Sequence, residues 1–168
     1  MSNEKMDEFN ASNVKSSGST QLLPSAYGTL MGFKAVSYSV SQALADLIDN
    51  SIDAKAESIV IQFGRTNDEL KFIQVIDNGR GITPKHIDTA MGWGYESNKN
   101  EKSLGCFGLG MKLAAFAIGD SLTVFSKAKG KTPVGRRWTF ENIAKEDEEW
   151  TLEEIDSEMS KKWLERDY

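Results

Sequence analysis

Apolar residues change from helical to strand spacing along the chain, and this change predicts the order of its elements. Between residues 36 and 53 they recur every three to four positions. This spacing predicts a helix with one apolar face formed by Val40, Leu44, Leu47, Ile48 and Ser51. Residues 58–63 and 70–76 are two short runs rich in β-branched side chains. The Asn-Asp turn signal between them predicts a hairpin.

The second half of the chain continues this mixed pattern. Thr83 and Pro84 suit the start of a short helix, and a glycine-rich stretch leads into a longer helix at residues 109–118. We expect strands at 122–126, 135–143 and 149–155, and a helix capped by Ser157 at 157–167. Residues 22–31 contain Pro24 and Gly28 and predict an irregular lead-in. The order of elements predicts an α+β fold, a two-layer sandwich with helices over one face of a mixed, mostly antiparallel sheet.

Length and composition indicate one domain and exclude several function classes. Residues 1–21 are rich in polar side chains and predict a flexible arm, and residues 22–168 predict one domain. The net charge of −5 provides no general basic surface for nucleic acid or for a membrane. No apolar run approaches the ~20 residues that cross a bilayer. A single cysteine and the lack of a signal-peptide pattern favour a cytoplasmic location, or a nuclear one in a eukaryote.

The predicted helix at residues 36–53 carries a second, acidic face. Asp46, Asp49, Asn50 and Asp53 follow one another at helical spacing, and this helix contains no lysine or arginine. Like charges at this spacing destabilise a helix slightly, so a cation is a good reason for their presence. Oxygen ligands of this kind suit Mg²⁺. A solvated acidic surface is the alternative interpretation.

Two glycine-containing segments follow. Asp77 ends an apolar strand and precedes Gly79 and Gly81, so its carboxylate can accept a hydrogen bond from the exocyclic amine of adenine. The alternative is a simple β-turn. Residues 105–110 open a helix, where backbone N–H groups and the helix dipole attract anions. Their spacing is neither that of a Walker loop nor that of a Rossmann fingerprint. A flexible linker before a buried helix is the alternative.

Taken together, residues 43–54, 77–82 and 105–112 resemble the N box, the adenine motif and the second glycine box of the GHKL, or Bergerat-fold, ATPases. This superfamily includes DNA gyrase, histidine kinases, heat-shock chaperones and MutL-type repair proteins. Residues 92–104 are similar to the family's ATP lid. Residues 94–99 and 107–112 are most similar to the MORC branch.

The resemblance implies roles for individual residues. Asn50 would coordinate Mg²⁺, Asp77 would bind the adenine amine, and Asp46 would activate the attacking water. Lys99 or Lys112 would pair with the phosphates. The remaining positions implied in the nucleotide site are Asp53, Gly79, Gly81, Ile82, Gly105, Cys106, Phe107, Gly108, Leu109 and Gly110.

The sequence also departs from the family pattern. The hydrolysing branches carry glutamate where this chain has Asp46, which is one methylene shorter, so we expect slow hydrolysis. We do not find the family's later Gly-Thr segment, so the domain is expected to be truncated at its C-terminal end. The resemblance implies an ATP-dependent switch that dimerises or docks downstream domains. The alternatives are a histidine-kinase-type phosphotransfer domain and a degenerate interaction module.

Overall fold

The computed structural model describes residues 18–20, 25–35, 38–93, 108–144 and 150–166, in which helices and antiparallel strands alternate. This confirms the α+β class. The helices are α1 (Ala26–Ala35), α2 (Val40–Asp53), α3 (Ile87–Met91), α4 (Gly110–Ile118), α5 (Phe140–Ala144) and α6 (Ser157–Leu164). The strands are β1 (Ile59–Thr66), β2 (Glu69–Asp77), β3 (Ser121–Ser126), β4 (Val134–Thr139) and β5 (Glu153–Ile155).

The strands pair in two antiparallel ladders. The predicted hairpin is present: β1 pairs with β2 from Ile59 opposite Asp77 to Thr66 opposite Glu69, with an irregularity between Gly64 and Arg65. The other ladder has the order β3-β4-β5. Within the described ranges no strand pairing joins the two ladders, so the expected mixed sheet is present as two antiparallel units.

The hydrophobic core lies on the three-stranded ladder. Helices α1, α3, α4 and α5 supply its other residues, and Trp138 of β4 is at its centre with its indole N–H donating to the carbonyl of Met91 (2.9 Å). The buried core residues are Ala26, Leu30, Ile87, Met91, Ala115, Phe116, Leu122, Val134, Trp138 and Ile143. No residue of β1 or β2 is fully buried, so the hairpin extends outward from this core.

Helix α2 connects the hairpin to the rest of the domain. It begins after a capping box, in which Gln42 N–H donates to the Ser39 side chain and Ser39 N–H donates to the Gln42 side chain. We predicted that its apolar face would pack on the sheet. Instead α2 packs mainly against α4 and touches β2 only lightly. The physical reason is the small size of Ala43 and Ser51, the two buried residues of α2, which allows a close approach between helices.

Three other predictions were wrong in detail. The irregular lead-in is helix α1 from Ala26 onward, because Ala26 and Leu30 enter the core one turn apart and the Ser25 hydroxyl accepts from Gly28 N–H (3.1 Å). The strand expected at 135–143 ends at Thr139, whose hydroxyl accepts from the backbone of Asn142 (3.3 Å) and starts α5. Helix α6 is capped by Asp156 rather than by Ser157.

None of the helices in the described part of the chain has the length and apolar character needed to cross a bilayer.

Candidate functional site

The Asp77 carboxylate is held in place at the end of β2. Its Oδ1 accepts from Gly79 N–H (2.8 Å), and its Oδ2 accepts from the hydroxyl of Ser51 on α2 (3.3 Å). Ser51 is only 4 % exposed. The sequence placed Ser51 in the apolar face of α2 and missed this contact. The available signal was a hydroxyl among apolar residues, because a buried hydroxyl requires a partner.

The glycines after Asp77 are required by close approaches to the protein's own backbone. A Cβ atom at Gly79 would lie 2.8 Å from the Ala54 carbonyl oxygen, just beyond α2. Gly81 has a φ of +67°, and a Cβ there would lie 2.5 Å from the Lys127 carbonyl oxygen. Side chains at either position would displace backbone, so the segment 79–81 is wedged between the end of α2 and the β3–β4 loop.

Further hydrogen bonds fix this turn. The Asn78 side-chain oxygen accepts from the N–H groups of Glu57 (2.8 Å) and Ser58 (2.9 Å). Ile82 N–H donates to the Ser126 hydroxyl at the end of β3 (2.8 Å). The turn that carries Asp77 is therefore tied to both ladders, and the carboxylate keeps a defined orientation.

Asp46 lies between the start of α2 and the start of α4. The phenol of Tyr38 donates a hydrogen bond to Asp46 Oδ2. The same oxygen is 4.0 Å from where a Cβ of Gly110 would lie. The hydrogen bond to the Asp46 carboxylate is the main reason why the pKa of Tyr38 is raised, with burial and the nearby negative charge adding to it. The sequence did not identify Tyr38.

Asn50 lies one turn beyond Asp46 on the same half-buried face of α2. Its side-chain N–H donates to the Asp46 backbone carbonyl (2.7 Å), so the amide oxygen remains as the group that can bind a cation. The described ranges contain no cluster of three acidic, histidine or cysteine side chains that could hold a metal. A single amide ligand fits Mg²⁺ that is otherwise bound by phosphate oxygens and water. Asp53 is half-buried at the end of the same helix.

The glycine-rich segment is described only from Gly108 onward. Gly108 has a φ of +60°, Leu109 precedes the first turn of α4, and Gly110 begins the helix. Four predicted site residues, Lys99, Gly105, Cys106 and Phe107, lie outside the described residues.

Lys112 has a different environment from the one expected of a phosphate ligand. It is 1 % exposed, and its ammonium donates to the Ala90 carbonyl of α3 (2.7 Å). Burial lowers the pKa of Lys112 to about 8. In this structure the side chain therefore joins α4 to α3, and pairing with phosphate would require it to leave this contact.

We expect wild type and Lys112→Met to differ in the pH dependence of stability. The folded-state pKa is about 8, against 10.5 for an unperturbed lysine. Between these values the unfolded chain binds a proton that the folded chain does not, so the free energy of unfolding rises with pH. Below pH 8 both states are protonated and this contribution is level. The rise is at most about 3 kcal/mol and should be absent in Lys112→Met. Urea denaturation at pH 7 to 10.5 measures it.

Lys129→Met is the matched control, since Lys129 is exposed in the β3–β4 loop. Its stability should follow that of wild type over the whole pH range. Identical pH slopes for wild type and Lys112→Met would show that Lys112 does not titrate as a buried group.

Comparison with known proteins agrees with this geometry. A family model described as histidine kinase-, DNA gyrase B-, and HSP90-like ATPase matches residues 38–167. The matched region begins at Tyr38 and includes α2, the hairpin and all later described elements.

Individual relatives match about half of the chain. Protein MICRORCHIDIA 1 of Arabidopsis thaliana is 31% identical over 90 residues, 51% of this chain and 14% of the relative. ATPase morc-1 of Caenorhabditis elegans is 33% identical over 88 residues, 52% of this chain and 10% of the relative. A type 2 DNA topoisomerase 6 protein of Saccharolobus shibatae is 33% identical over 94 residues, 51% of this chain and 18% of the relative.

The matched segments thus cover less than a fifth of each of these three longer proteins. The family model, by contrast, covers most of this chain and includes both the Asp77 turn and the Asp46–Gly110 approach. The chain belongs to the family of histidine kinase-, DNA gyrase B- and HSP90-like ATPases.

Proposed function

We propose that this domain binds Mg-ATP beside α2, hydrolyses it slowly, and acts as an ATP-dependent switch. The observation that carries the proposal is the position of α2. Its Ser51 contacts Asp77 at the end of β2, and its Asp46 approaches Gly110 at the start of α4. One helix therefore brings an adenine acceptor, a cation ligand and an anion-attracting helix start into the same part of the molecule.

Asp77 is the proposed adenine ligand. A carboxylate has about four lone-pair sites, and Gly79 and Ser51 use two of them. The remaining lone pairs can accept from the exocyclic amine of adenine. Guanine presents a carbonyl oxygen at the corresponding position, which the carboxylate repels, so the site favours ATP over GTP.

The start of α4 is the proposed phosphate site. Its first N–H groups lack helical partners, and the helix dipole places partial positive charge there. Gly110 leaves this end open because it has no side chain. Asn50 would hold Mg²⁺ through its amide oxygen, and the bound ion would neutralise phosphate charge.

Asp46 is the proposed general base. The water oxygen forms a bond to the γ-phosphorus while the bond to the β-bridging oxygen breaks, and the water proton passes to Asp46. ADP leaves with the electron pair of the broken bond. Because aspartate is shorter than glutamate, the distance to this water is less favourable, and hydrolysis is slow.

The switch itself follows from differential binding. ATP that contacts α2, β2 and α4 at once favours whichever arrangement of these elements brings them together. The longer relatives indicate that such a rearrangement would act on further domains or on a second copy of the chain. A cytoplasmic or nuclear location remains a prediction from the sequence.

Titration calorimetry with ATP and GTP in the presence of Mg²⁺ tests the proposal. We expect ATP to bind and GTP to bind at least about tenfold more weakly, as one lost or repulsive polar contact costs more than 1 kcal/mol. ADP provides a second measurement that does not depend on hydrolysis. A folded sample that binds none of these nucleotides would contradict the proposal and favour an interaction module without nucleotide.

A further inference from the structure

We infer that Tyr38 is a positioning residue for the Asp46 carboxylate, an inference that rests on the proposed ATP hydrolysis. The phenol holds Oδ2, and Oδ1 is then the oxygen that accepts the proton of the attacking water. Tyr38 lies outside α2, eight residues before Asp46 in the chain, yet its hydroxyl reaches across the first two turns of the helix to this carboxylate.

The backbone beside Tyr38 is held rigidly enough for this role. Ser39, the next residue, is the N-cap of α2, and reciprocal hydrogen bonds with Gln42 fix it (2.9 and 3.2 Å). A capping box sets the direction in which the chain enters a helix. The phenol therefore starts from a fixed point relative to the helix that carries Asp46.

The carboxylate itself needs such a holder. Asp46 is half-buried, and Oδ2 lies between the Tyr38 hydroxyl and Gly110, which has no side chain to confine it. Within the described part of the chain, Oδ1 has no hydrogen-bond donor. Without Tyr38 the carboxylate would rotate among its staggered conformations, and only some of them would direct an oxygen toward the water.

Tyr38 also suits the chemistry of the step. A neutral phenol donates a hydrogen bond to an ionised carboxylate without adding positive charge that would compete with Mg²⁺ for it. Because the contact to the carboxylate raises the phenol pKa, Tyr38 remains a donor throughout the neutral range. A shorter base is more sensitive to its orientation, since a misplacement near 1 Å can lower the rate about 100-fold.

Single-turnover hydrolysis of labelled ATP tests this role in wild type, Tyr38→Phe, Asp46→Ala and the double variant. We expect Tyr38→Phe to lower the hydrolysis rate about tenfold, the value of one hydrogen bond, with the Kd for ATP unchanged within about twofold. In the Asp46→Ala background, Tyr38→Phe should have no further effect. Tyr27→Phe is the matched control, because it removes an exposed phenol from α1 and leaves the ring on Phe140.

Titration of ¹³C-labelled tyrosine by NMR provides a readout that needs no catalysis. The resonance of Tyr38, assigned by its loss in Tyr38→Phe, should titrate at lower pH in Asp46→Asn than in wild type, moving toward the ordinary tyrosine value of about 10. Loss of a merely structural residue would not produce this reciprocal change.

Several results would overturn the inference and leave the proposed function intact. They are an unchanged rate in Tyr38→Phe, an equal loss of rate in the Asp46→Ala background, and an unmoved Tyr38 titration in Asp46→Asn. Wild-type hydrolysis no faster than that of Asp46→Ala, with ATP bound normally, would also overturn it. Absence of ATP binding to the folded wild type would instead contradict the proposed function.

Discussion

ATP binding is expected to weaken about 100-fold when Asp77 is replaced by asparagine. The change is nearly isosteric, so the turn after β2 keeps its shape, but one carboxylate oxygen becomes an N–H₂ donor. If the remaining oxygen faces Gly79 N–H, as Oδ1 does in wild type, the new donor faces Ser51 and the adenine amine. If the amide is reversed, its N–H₂ opposes the Gly79 N–H. Either arrangement leaves a donor against a donor, which costs on the order of 2–3 kcal/mol.

Calorimetric titration of wild type and Asp77→Asn with ATP measures the effect directly. Asp68→Asn is the matched control, because it makes the same chemical change at the exposed tip of the hairpin, where Asp68 has a positive φ that asparagine also tolerates. ATP affinity should be unchanged in that variant. Equal affinity in Asp77→Asn and wild type would mean that adenine is bound elsewhere or is not bound through its amine.

Elements whose signal lies within a short segment could be predicted from the sequence. The hairpin at β1 and β2 follows from two β-branched runs around an Asn-Asp turn, and both Asn67 and Asp68 do adopt positive φ. Helices α2 and α4 follow from apolar spacing and from caps or glycines at their starts. The family was recognisable for the same reason, because its motifs are local and occur in a fixed order.

Contacts between distant segments could not be predicted in the same way. Ser51 and Asp77 are 26 residues apart and Lys112 and Ala90 are 22 apart, and no local pattern shows that their side chains meet. The Lys112 prediction shows the consequence. A lysine two residues after a glycine box suggests a phosphate ligand, but the close packing of α4 on the domain directs its ammonium to a helix carbonyl.

Tertiary packing also overrode local propensity. Gly28 and Gly32 are poor helix residues, and for that reason α1 was not predicted. Ala26 and Leu30 nevertheless enter the core from this helix, and burial of their apolar surface outweighs the modest cost of two glycines.

Asp46→Ala is expected to lower the rate of ATP hydrolysis at least about 100-fold, which is the lower end of what a general base contributes. Alanine is the best helix former, and Asp46 is only half-buried, so α2 should remain folded. ATP affinity should be equal or slightly higher, because a negative charge near the phosphates is removed. Single-turnover release of labelled phosphate at saturating ATP measures the chemical step separately from binding.

The same reasoning predicts the opposite change for Asp46→Glu, which restores the longer base of the hydrolysing branches. Its carboxylate reaches about one bond further toward the start of α4, where Gly110 offers no side chain to obstruct it. The rate should exceed that of wild type if the length of Asp46 limits hydrolysis. Asp68→Ala serves as the control for loss of an acidic side chain far from this region. Equal hydrolysis by wild type, Asp46→Ala and Asp46→Glu would exclude position 46 as the base, and ATP binding alone would then have to operate the switch.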